Sequence, residues 1–151
     1  MSGGARVVAR YARMLKERGH EVTLTGLGAP ALTLKARLKG LMGKTPEWRE
    51  PPSHYALEGL PLSLVNGRNA LVAADVPDAD VVVATFWKTA EWMAGLPPEK
   101  GKHVYFVQHH EADFPHADRA RAAATYRAES RIIVVSGWIT GVLKQEYGIN
   151  D

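Results

Sequence analysis

The sequence predicts an α/β fold, a doubly wound and mainly parallel sheet flanked by helices, on three observations. Val81-Val82-Val83-Ala84, Val104-Tyr105-Phe106-Val107 and Ile132-Ile133-Val134-Val135 are continuously apolar instead of alternating. Strands of that kind are buried on both faces, as in a parallel sheet. Helix-like segments separate them, and the order helix, strand, helix, strand, helix, strand, helix implies repeated right-handed crossovers. The third observation is size: 151 residues, 46% of them apolar, suffice for one domain with its own core.

The elements can be justified in order. Gly4 to Arg18 places Val7, Val8, Tyr11, Met14 and Leu15 on one face and Arg6, Arg10, Arg13 and Glu17 largely on the other, with Gly19 as its C′ residue. Glu21 to Thr25 reads as the first strand, with His20 bonded to the turn before it. Pro30 to Gly43 is apolar and basic together, and Pro46, Pro51 and Pro52 then break the chain. His54 to Leu57 and Leu62 to Val65, around Glu58-Gly59-Leu60-Pro61, read as a hairpin. Three strands follow, Asp80 to Thr85, His103 to Gln108 and Arg131 to Ser136. Their helices are Trp87 to Leu96, Ala117 to Ala128 and Trp138 to Tyr147. No linker divides the chain, so the expectation is a single domain over 1–151. A doubly wound domain ordinarily opens with a strand, and here a helix opens it. The expected domain therefore lacks its first strand and stops where another would begin.

Composition narrows the function. With no cysteine, a disulfide framework, thiol catalysis, thiolate zinc and iron–sulfur ligation are excluded. A net charge of +3 with 23% charged residues is too low for a disordered chain, and no apolar run approaches the ~20 residues of a membrane span. The opening Met-Ser-Gly-Gly-Ala-Arg has no continuous apolar stretch of the secretory kind, so the expected address is the cytoplasm. No stripe interleaves aromatic and basic residues, which argues against nucleic acid as a partner. The fingerprint G-x-G-x-x-G and a Walker lysine are both absent, which argues against nicotinamide and P-loop enzymes.

Several segments can carry chemistry. Ser2-Gly3-Gly4-Ala5 opens a helix whose free N–H groups suit phosphate, although the same residues also serve as a cap. The densest polar cluster, Gln108-His109-His110-Glu111-Ala112-Asp113-Phe114-Pro115-His116-Ala117-Asp118, directly follows a strand, where open α/β sheets bind ligands. It reads in three ways: a metal site on His109, His110, Glu111, Asp113 and His116, a single histidine acting in a sugar site, or a structural loop. Extended neighbours such as His109 and His110 point apart, which weighs against both ligating one ion. Ser136 is an N-cap or a substrate contact. Trp87 and Lys88, in the equivalent place after Asp80 to Thr85, pack in the core or line the crevice. Leu32 to Lys44 can be drawn as an amphipathic helix with a cationic face, suited to an anionic membrane surface or to a solvated surface position.

Taken together, these segments resemble glycosyltransferase family 4. Ser2-Gly3-Gly4-Ala5-Arg6-Val7-Val8 through Leu15-Lys16-Glu17-Arg18-Gly19-His20-Glu21-Val22-Thr23-Leu24 is similar to the family's glycine loop, first helix and second strand. Asp80-Val81-Val82-Val83-Ala84, Tyr105-Phe106-Val107-Gln108-His109-His110-Glu111 and Ile133-Val134-Val135-Ser136-Gly137-Trp138 follow in the family's order. Gln108-His109-His110-Glu111 and Ala124-Thr125-Tyr126-Arg127 are closest in wording to its rhamnosyltransferase-like branch.

The resemblance implies a Rossmann-like, acceptor-side N-terminal half of a two-domain GT-B fold. It implies retaining transfer from a nucleotide-diphosphate sugar to a glycan or lipid-linked acceptor, with no metal or other cofactor. Gly3 and Gly4 would approach the donor diphosphate. His109, or its neighbour His110, would contact the donor sugar, with His109 preferred because it stands closer to the strand end. Trp87, Lys88, Glu111 and Ser136 would touch acceptor or substrate. A C-terminal nucleotide-sugar domain or partner chain is expected, without which the chain would be inactive. Polysaccharide acceptors and a peripheral position on the inner face of the cell membrane, through Leu32 to Lys44, are further expectations. The alternatives are a metal-dependent hydrolase on the histidine cluster and a non-catalytic subunit of a two-chain transferase.

Overall fold

The computed structural model describes residues 3–29 and 54–150, organised as two compact units, Met1–Leu71 and Val72–Asp151. The Leu32 to Lys44 stretch lies outside the described residues.

In the first unit, helix α1 (Gly3–Glu17) and strand β1 (Leu24–Leu27) are followed by a helical turn, His54–Leu57, and strand β2 (Leu62–Val65). Gly19 closes α1 as expected. It takes φ +88°, its N–H bonds Lys16 O, and the His20 N–H bonds Leu15 O, which is a Schellman pair. The buried stripe of α1 differs from the expected one. Ala9 and Ala12 pack on Leu60, flanked by Val22, Leu24 and Tyr55, while Tyr11, Met14 and Leu15 stay exposed. Small side chains at i and i+3 let the helix approach Leu60 closely.

The expected hairpin is not formed. Gly59, at φ +65°, donates to Ala56 O, and the Leu60 N–H donates to Tyr55 O, so these residues cap a helical turn. Leu62–Val65 then pairs with β1 in parallel, Leu24 opposite Leu62 and Leu27 opposite Val65. That pairing also explains why β1 starts at Leu24 and not at Glu21: the ladder begins where its partner does.

In the second unit, β3 (Val81–Ala84), α2 (Trp87–Met93), β4 (Lys102–Val107), α3 (Arg119–Thr125), β5 (Arg131–Val134) and α4 (Gly137–Tyr147) alternate. The three strands are parallel in the order β3-β4-β5, with Val81 opposite Lys102 and Val104 opposite Arg131. Helix α3 begins later than expected because Asp118 caps it, accepting from the Arg121 N–H. Ala84, Tyr105 and Val107 of the sheet share one core with Trp87, Ala90 and Met93 of α2, Ala122 of α3, Tyr126 at its C-cap, and Ile139 and Leu143 of α4. Burying each large side chain there contributes about 1.5–3 kcal/mol. Burial on both faces does not hold throughout: Val81, Val83 and Ile133 are about half exposed, on the face opposite this core. The parallel strands and their crossover helices make the architecture α/β and Rossmann-like. Among the described residues, no helix is long and apolar enough to cross a membrane.

Candidate active site

Because β3, β4 and β5 are parallel, the turns that leave them gather at one end of the second unit, where open α/β sheets bind ligands. After β3, Thr89 Oγ1 accepts from the Thr85 and Phe86 N–H groups at 3.2 and 3.1 Å and donates to Phe86 O at 2.7 Å. This closes the turn and starts α2. After β4, Gln108 reaches back to Thr85 O through Nε2. A 3₁₀ turn, Glu111–Asp113, follows.

Glu111 joins these two turns. Its side chain is buried, and Oε2 accepts from the Trp87 N–H at 2.5 Å and from the Tyr105 hydroxyl at 2.9 Å. Its own N–H donates to the Tyr126 hydroxyl at 2.9 Å. Burial pushes the Glu111 carboxyl up to about 7, and the two donated hydrogen bonds oppose that rise without cancelling it. Tyr105 lies above the ordinary tyrosine range, through burial first and the Glu111 charge second. Burial likewise pushes Tyr126 up to about 12.

His110 is buried beside this pair. Its Nδ1 lies 2.9 Å from Asp113 Oδ2 and its Nε2 lies 2.7 Å from the Tyr147 hydroxyl. A carboxylate only accepts, so in the neutral ring the proton sits on Nδ1 and Tyr147 donates to Nε2. Arg119 pairs with Asp113 and, at 3.6 Å, with Glu146. The rings of Tyr126 and Tyr147 pack against the imidazole. His110 therefore ties the turn after β4 to the end of α4.

His109 behaves in the opposite way. It is exposed, with its ring 5.0 Å from Phe114 and 6.2 Å from Trp138, measured between centroids. Trp138 stands at the start of α4 and is 61% exposed. The arrangement is an exposed imidazole held at the carboxyl end of the middle strand by aromatic neighbours.

A family model described as Glycosyltransferase Family 4 matches residues 1–151. The chain belongs to Glycosyltransferase Family 4. No curated protein and no solved structure matches it. The α/β architecture of this family 4 domain fits one half of a GT-B fold.

Within the family 4 domain, the sequence-predicted residues fall in different settings. His109, His110, Glu111, Trp87, Lys88 and Ser136 all lie in the turns and helix starts that follow the carboxyl ends of β3, β4 and β5. Trp87 is buried in the core, with the Lys88 ammonium and the Arg121 guanidinium each 5.5 Å from its ring centroid. Lys88 itself is exposed. Ser136 caps α4, its Oγ accepting from the Ile139 N–H at 3.4 Å. Gly3 and Gly4 lie in the first turn of α1, in the other unit.

The five residues of the metal reading do not converge. His109 packs on aromatic rings, His110 is held by Asp113 and Tyr147, and Glu111 is held by Trp87 and Tyr105. Among the described residues, no group of three histidine or carboxylate side chains could hold an ion. Sequence reasoning passed over Trp138 and Phe114. A signal for Trp138 was available: the buried residues of α4 are Ile139 and Leu143, a helical i, i+4 stripe that leaves Trp138 off the core face.

Proposed function

We propose that this glycosyltransferase domain is the acceptor side of a retaining enzyme. It would move a sugar, of hexosyl or rhamnosyl type, from a nucleotide-diphosphate sugar to a glycan or lipid-linked acceptor, with no metal ion in the chemistry. The observation that carries the reading is the contrast between His109 and its neighbours. His110 and Glu111 hold the turn from inside, while His109 is left exposed at the end of the middle strand. In this role His109 orients the donor sugar by hydrogen bonding and shares charge as the glycosidic bond loosens, a contribution that counts because it grows toward the transition state. Separately, the N–H groups around Gly3 and Gly4 suit a diphosphate. Glu111 serves as a positioning residue for the turn. The donor nucleotide calls for a second domain or partner chain, without which the 151 residues bind but do not turn over. Polysaccharide assembly at the cytoplasmic face of a membrane, approached through Leu32 to Lys44, completes the reading.

The test follows the His109 ring proton resonances of the chain during titration with dTDP-rhamnose, UDP-glucose and methyl glycosides. A shift with at least one ligand, and an affinity loss of tenfold or more in His109→Ala, is expected. No shift with any of them overturns the site. Sugar transfer by the purified chain alone overturns the need for a second half.

A further inference from the structure

We infer that the amino end of the β3-β4-β5 sheet carries a second ligand site, for a small organic carboxylate, in the cavity at the starts of β4 and β5. It lies at the opposite end of the strands from the His109 turn and stands independently of the transferase reading. The cavity measures about 600 Å³, within the range of small-molecule sites. Lys102 and His103 line it from β4, Glu129, Ser130 and Arg131 from the approach to β5, and Leu96 supplies an apolar wall.

Its frame is set before any ligand arrives. Gly101, also in the lining, takes φ +98°, and a Cβ there would meet Ala79 O at 2.6 Å, so only glycine lets the chain pass this close. The Lys102 N–H then donates to Asp80 O at 2.9 Å. On the other wall, the Gly95 and Leu96 N–H groups bond the Trp92 and Met93 carbonyls. The main chain here is paired, and the capacity left for a ligand is in side chains.

Two observations point to that ligand. The Ser130 hydroxyl is buried with no hydrogen-bond partner, a destabilising state that an incoming oxygen relieves. The register that sets Val104 opposite Arg131 brings Ser130 beside His103, on the face that carries Tyr105 and Ile132 into the core.

The second observation is charge. Elsewhere in this unit Lys100 is paired with Asp78, Arg119 with Asp113 and Glu146, and Arg121 with Glu91. Among the described residues, no ion pair engages Lys102 or Arg131. These two cations and the Glu129 carboxylate share the cavity, so with His103 neutral its net charge is a single positive one. One carboxylate balances that charge, and a phosphate dianion exceeds it. In this site the carboxylate is held by the Arg131 guanidinium and the Ser130 hydroxyl, and the ligand's apolar body lies on Leu96.

The experiment uses the 151-residue chain with three probes, benzoate, its neutral isostere benzamide, and inorganic phosphate. The His103 ring resonances, assigned among the six histidines by their loss in His103→Asn, should move saturably with benzoate and stay still with benzamide. Arg131→Gln should weaken benzoate binding about tenfold, the worth of a charged hydrogen bond. Ser130→Ala should weaken it several-fold while its thermal melt stays at or above the parent's, because the substitution removes a hydroxyl that the free protein leaves unpaired.

No shift with benzoate overturns the site, as does a shift that survives both Arg131→Gln and Lys102→Gln. Equal shifts with benzoate and benzamide overturn the role of charge. Phosphate binding tighter than benzoate overturns the monocarboxylate assignment.

Discussion

Among the described residues, the first turn of α1 and the turn after β4 both concentrate polar capacity, and they are built by opposite means. Around Gly3 the capacity is backbone alone, and a Cβ placed on Gly3 would meet nothing within 4 Å. From Gln108 to Asp113 the side chains do the work. Glu111 gathers Trp87 and Tyr105, His110 gathers Asp113 and Tyr147, and Tyr126 holds the main chain between them. The comparison teaches that one exposed histidine needs several buried partners. His109 sits between Phe114 and Trp138 while its two successors are fixed inward.

The sharpest way to probe that difference is to titrate the buried carboxyl. Glu111 stands at about 7 in the folded protein against an ordinary 4.5, so its contribution to stability is full below pH 4.5 and is lost as pH rises through 7. A displacement of that size corresponds to about 3 kcal/mol. Glu111→Gln keeps an acceptor for the Trp87 N–H and the Tyr105 hydroxyl and removes the charge. Urea unfolding of parent and variant between pH 4.5 and 8 should give curves that diverge in the variant's favour toward pH 8. Parallel curves would mean that the carboxylate ionises there at no cost, and the turn would not be the buried device described here.

Adjacent histidines make the next comparison. His110→Ala removes a buried ring with two polar partners and should cost about 2 kcal/mol. His109→Ala removes an exposed ring and should cost less than about 0.5 kcal/mol, while weakening sugar binding tenfold or more. Denaturant midpoints for the two variants should therefore separate clearly. Equal losses would erase the division of labour between the two residues.

Much of this was legible in the sequence, and the failures have physical causes. Continuous apolar runs located β3, β4 and β5, although only alternate positions face the core and Val81, Val83 and Ile133 are about half exposed. Gly19 and Ser136 were readable as caps because capping is a local matter of backbone and one side chain. The pair His54–Leu57 and Leu62–Val65 was misread because its apolar spacing fits a hairpin. What decides it is the long-range ladder of Leu62 with Leu24 and the positive φ of Gly59. The cluster from His109 to His116 was readable as important by position alone. Which member faces outward depends on Tyr105, Tyr126 and Tyr147, which approach from three other elements and leave no mark on the local sequence.

The smallest predicted effect concerns the backbone site, where its sign is what matters. Gly3 is exposed within α1 and its surroundings leave room for a methyl group. Gly3→Ala should therefore raise stability, by up to about 0.5–1 kcal/mol, because alanine restricts the unfolded chain and favours the helix. If the glycine only opens the helix, nothing else should change. If its bareness lets a diphosphate approach the N–H groups, the same substitution should weaken UDP binding several-fold while the melting temperature rises. Calorimetric titration of UDP alongside a thermal melt reads both quantities on one sample. A variant that is stabilised and binds UDP as well as the parent would reduce the first turn of α1 to a cap and leave the turn after β4 as the candidate site.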